Sequence, residues 1–94
     1  MTITPEDKIA FMACVEVALM RRGNVDYNSV ICKLDVQYSC TIPDCYDYPE
    51  RLRTVLKEVY KNEYDSVLEE IQWELEKLVD VDPERDHFLK MLRY

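Results

Sequence analysis

Glycine is almost missing from this chain: Gly23 stands alone in 94 residues. Loops that cradle phosphates are built from glycines, so P-loop and dinucleotide-binding motifs are excluded. Histidine is as scarce. His87, among Arg85, Asp86 and Lys90, reads as a surface residue, and one histidine cannot assemble a His-x-x-x-His metal motif. The four cysteines, Cys14, Cys32, Cys40 and Cys45, contain no Cys-x-x-Cys pair, and their spacing builds no zinc site. Carboxylates are plentiful but lack EF-hand spacing. No catalytic residue, metal or cofactor is therefore expected. A long hydrophobic run is lacking too. The most apolar stretch, Ile9 to Met20, is too short for a bilayer and carries Glu16. Glu6, Asp7 and Lys8 before it have the wrong charge for a signal peptide. These features predict a cytoplasmic protein that does not enter membranes and whose thiols are free by default. Cys40 and Cys45, which flank a loop, are the pair placed to close under oxidising conditions.

What is present is helical punctuation. Hydrophobic residues make up 48% and charged residues 33%, the balance of a globular chain. A length of 94 residues predicts a single domain, 1–94. Thr4-Pro5, Tyr48-Pro49 and Asp82-Pro83 each place proline where a helix begins. Between these marks apolar residues recur at helical spacing. The pattern predicts an all-α bundle of four to five helices, near 5–22, 26–38, 49–61, 63–79 and 83–93, with helix one central. Thr4 caps the first helix, and Gly23 sits where a left-handed residue closes it. Asp47 is placed to cap the third. Helix one is apolar nearly all round, so it is either enclosed or presents a second face to a partner, including a second copy of the chain.

Charge is unevenly spread. The whole chain carries −7, which repels phosphate backbones and favours basic partners. Arg51, Arg53, Lys57 and Lys61 nevertheless give helix three a basic face. Helix four carries six carboxylates, Glu63, Asp65, Glu69, Glu70, Glu74 and Glu76, against Lys77. The basic face either lies beside that acidic neighbour or meets an external acid; a DNA-binding dimer reading duplex with helix three is the alternative function. The first reading is a protein-interaction module. Its candidate contacts are Trp73, which is either covered by the last helix or exposed, and Tyr46 and Tyr48, beside Asp44 and Asp47. Either tyrosine could instead close over the core at a helix start.

The order of several segments resembles a known family. Ala18-Leu19-Met20-Arg21-Arg22-Gly23, Val30, Lys33-Leu34, Tyr48-Pro49-Glu50-Arg51-Leu52, Val55-Leu56-Lys57-Glu58-Val59-Tyr60, Ile71 and Glu74-Leu75 are similar to the small archaeal helical modules called nitrosopumilus output domains. The likeness spans most of residues 5–79. It implies an all-helical signalling output, alone or joined to receiver domains, and no catalytic residue. Lys61 stands where that pattern has a glycine, which favours helices three and four running on as one kinked helix.

Overall fold

The computed structural model describes residues 4–78 and 82–93. Among them there are five α-helices and no strand: α1 (Pro5–Arg21), α2 (Asn24–Tyr38), α3 (Pro49–Tyr60), α4 (Tyr64–Leu75) and α5 (Asp82–Arg93). Short 3-10 turns at Pro43–Tyr46 and Lys61–Glu63 lead into α3 and α4.

The starts and stops follow local chemistry. The Thr4 hydroxyl accepts the Asp7 amide at 3.1 Å, and Pro5 occupies the first helical position. Gly23 adopts φ 130°, ψ 138°, a conformation closed to side chains, and so turns α1 directly into α2. It serves as the first residue before α2 as well as the last after α1, which starts α2 two residues earlier than the sequence predicts. Asp47 does not cap α3. Tyr48 precedes that helix without a side-chain cap, and the Asp47 carboxylate is taken by Lys8 at 3.3 Å. The α3–α4 junction is a break, not a kinked continuous helix. Lys61 lies at φ 51°, ψ −114°, which halts α3 before the short turn that starts α4. Among the described residues α4 ends at Leu75, earlier than the predicted end at 79; Glu76, Lys77 and Leu78 follow as a turn, and Val79 lies outside the described residues.

The helices bury one core. Phe11, Met12, Val15, Ala18 and Leu19 of α1 meet Val67, Leu68, Ile71 and Leu75 of α4. Val30 and Leu34 of α2 join Leu52, Val55 and Leu56 of α3, and Phe88, Leu89 and Leu92 of α5 close the other side of α3. The Tyr64 hydroxyl donates to the Leu92 carbonyl and ties α4 to α5. The apolar stripes of α3 and α4 therefore face inward as their spacing predicts. α1 differs: its second apolar face is open, with Ile9 and Met20 exposed.

All four cysteines are free thiols. Cys40 and Cys45 are buried, and the Cys45 thiol donates to the Thr41 carbonyl at 3.5 Å. Burial pushes the Cys45 thiol up to about 12, and the neighbouring Cys40 adds to the effect.

Candidate interaction face

The acidic side of α4 is met by α1, not by α3. Arg21 and Arg22 lie in the last turn of α1, where cations suit the helix dipole. Arg21 pairs with Glu74 at 2.8 Å, and Lys77, three residues on from Glu74, reaches the same carboxylate at 3.2 Å. Glu74 is only 5% exposed, so two cations share one buried acid. Arg22 takes Glu70 at 3.0 Å, Glu63 at 3.5 Å and the Ser66 hydroxyl at 3.2 Å. A buried carboxylate is costly unless paired, which fixes Glu74 and its partners in one arrangement.

Trp73 stands beside that arrangement. It is 55% exposed and is not covered by α5. The Lys77 ammonium lies 4.0 Å from its ring centroid and the Arg21 guanidinium 5.2 Å. Both distances are within the range where a ring face attracts a cation. Ala18, Arg21, Ser66, Glu69, Glu70, Trp73 and Glu74 line a cleft of about 440 Å³ between α1 and α4. It offers one large ring, an apolar floor at Ala18 and charged groups of both signs.

The two tyrosines are elsewhere, and they part company. Tyr46 is half-buried. Its ring lies edge-on to Phe11 at 5.4 Å and parallel to Phe88 at 6.4 Å, and Lys8 sits 5.2 Å from its centroid. It closes the core where α1, the Pro43–Tyr46 turn and α5 converge. Burial raises its hydroxyl above the usual tyrosine value. Tyr48 is exposed, with the Arg51 guanidinium 4.1 Å from its ring. Tyr46 packs on Phe11 while Trp73 flanks Arg21, about 15 Å further along α1 at 1.5 Å per residue. Tyr46, Tyr48 and Trp73 therefore do not form one site.

The basic face of α3 is not a single patch either, nor does it lie against the acids of α4. Arg53 donates to the Met91 carbonyl of α5 at 3.3 Å. Arg51 covers Tyr48, and Lys57 sits 5.5 Å from the Tyr64 ring. Lys61 is drawn into the break after α3. Among the described residues none of the four pairs with a carboxylate within 4 Å. They point at different neighbours, because a step of four residues drifts around the helix and each side chain finds its own support.

Sequence reasoning missed Arg21 and Glu74 as parts of the Trp73 cleft. The signal was available: two arginines end α1, and six carboxylates fill the α4 region without matching cations. Among the described residues no group of three or more histidine, cysteine or acidic side chains is arranged to hold a metal ion, and no helix is long and apolar enough to cross a membrane. Compared with models of known protein families, with curated proteins and with solved structures, the chain matches none of them.

Proposed function

We propose that this chain is a non-enzymatic protein-interaction module whose partner docks over Trp73, in the cleft between α1 and α4. The observation that carries the reading is an exposed tryptophan held at the mouth of a cleft by two cations and a buried acid. Large rings of this kind anchor protein interfaces, and a tryptophan left in water with no partner is an uncommon outcome of folding. The resemblance to helical output domains fits a signalling adaptor working in the cytoplasm, where no chemistry need be performed. Tyr48, exposed beside Arg51, is a second and separate contact point. Tyr46 contributes through the core it closes.

Capture of a partner from nuclease-treated native lysate tests the reading. The wild-type chain should retain one protein in stoichiometric amount, and Trp73→Ala should lose it while melting as cooperatively as wild type. Retention of the same protein by both chains would remove Trp73 from the interface.

The DNA-binding alternative gains little from the placement of Arg51, Arg53, Lys57 and Lys61. Duplex affinity rests on neutralising phosphates, and these four residues face different neighbours on a body of charge −7. Absence of duplex binding in about 50 mM salt, where such contacts are strong, would close that reading.

A further inference from the structure

A second cleft, of about 370 Å³, opens where α1 meets the end of α2. Buried Ile42 and exposed Pro43 give it apolar walls, and Ile31 and Cys32 of α2 stand exposed along its rim. Two carboxylates, Glu16 of α1 and Asp35 of α2, face the same space, and no lysine or arginine lines it. Among the described residues neither acid lies within 4 Å of a cation. Lys33, the one lysine of α2, is taken by Glu58 of α3 at 3.4 Å. The Tyr27 hydroxyl donates to Glu16 at 2.9 Å, which orients the carboxylate and leaves its charge in place. Asp35 lies in the last turn of α2, a turn with no basic residue. The carbonyl end of a helix is itself partly negative, so Asp35 stands against the dipole. Three sources of negative potential therefore meet beside apolar walls.

We propose that this cleft docks a basic segment of a partner protein. A lysine or arginine of that segment reaches Glu16 and Asp35, and a neighbouring apolar side chain rests on Ile31 and Pro43. Charge complementarity selects this occupant. The methylene stem of lysine or arginine covers apolar surface while its head meets a carboxylate, which suits both parts of the cleft. A hard metal ion needs more oxygen ligands than two carboxylates supply, and it would leave the apolar walls wet. A second copy of this chain brings −7 to a negative cleft and is repelled. The cleft lies between α1 and α2, whereas Trp73 stands where α1 meets α4, so the two readings stand or fall separately.

Fluorescence anisotropy of a labelled peptide of leucine and lysine in helical phase, titrated with the full chain at low ionic strength, tests the proposal. The wild-type chain should bind it. Glu16→Gln with Asp35→Asn should weaken binding about tenfold or more, with circular dichroism unchanged. Asp65→Asn with Glu76→Gln removes the same charge from exposed positions at the two ends of α4 and should leave affinity within about twofold. Ile31→Ser should weaken binding severalfold by removing apolar contact. A chain that does not bind the leucine–lysine peptide overturns the proposal. Equal losses in the two double variants would reduce the binding to the general attraction of an acidic body and overturn it too. So would a serine–lysine peptide that binds as tightly as the leucine–lysine one, because the apolar walls then play no part. Displacement of the labelled peptide by n-butylamine as effectively as by unlabelled peptide would assign the cleft to a small amine and overturn the docking of a protein segment.

Discussion

The two ends of α1 hold aromatic rings in opposite settings. Near its start, Tyr46 lies against Phe11 and Phe88 with Lys8 beside it. Near its finish, Trp73 has cations on its ring and water over much of the rest. The local chemistry is alike: an aromatic ring, a basic side chain and a carboxylate. The difference is the number of elements that converge. At the first end three meet, namely α1, the Pro43–Tyr46 turn and α5. At the second only α1 and α4 meet, so nothing covers the ring. Burial of a ring here depends on a third element more than on the ring's own neighbours in sequence.

Phe11→Ala should break the packed end. Phe11 is fully buried and touches both rings, so its loss should cost about 3–5 kcal/mol in denaturant unfolding. A cost similar to that of a surface change would show that the packed end is not packed. Glu74→Ala should act at the other end with a smaller effect, about 1–3 kcal/mol, because it strips a charged hydrogen-bond partner from Arg21 and Lys77. It should also loosen Trp73, readable as a change in its fluorescence.

Alkaline titration should sharpen the contrast further. Burial raises the Tyr60 and Tyr64 hydroxyls from 10.0 to about 12, and it raises Tyr46 as well. The unfolded chain ionises first. Stability from these groups is therefore fully present below pH 10.0, and it is lost as pH rises towards about 12. Tyrosinate absorbance should lag at first and then rise together with loss of helix. Ionisation of Tyr60 and Tyr64 well before any helix is lost would contradict their burial. The smallest effect belongs to Trp73→Ala, which should change stability by less than about 1 kcal/mol, as expected of a surface position. A loss the size of that from Phe11→Ala would place Trp73 in the core.

The helices were legible in the sequence wherever a local device marks them. Thr4-Pro5 and Gly23 bound α1, Tyr48-Pro49 opens α3, and the inward stripes of α3 and α4 follow from spacing alone. The junction at Lys61 was not legible, because a lysine at positive φ is an exception to residue preference and no glycine or asparagine at that position marks the break. The end of α4 was overrun for a similar reason: Leu78 keeps the stripe in phase, but the backbone has already turned. The candidate site was half legible. Trp73 stood out by type and by its place opposite Ile71, whereas its exposure depends on where α5 crosses, a long-range fact. Tyr46 and Tyr48 look equivalent two residues apart, and only the arrival of Phe11 and Phe88 separates them. The pairing of Arg21 with Glu74 spans 53 positions and left only a charge imbalance as its trace.

The buried Glu74 has one more consequence. By holding Arg21 and Lys77 at fixed positions beside the Trp73 ring, it restricts that ring's rotamers before any encounter. Ordering a large side chain at an interface ordinarily costs about 0.5–1.5 kcal/mol in entropy. If a partner docks as proposed, much of that ordering would be completed during folding, and loosening the ring would shorten the life of the proposed complex more than it would slow its formation.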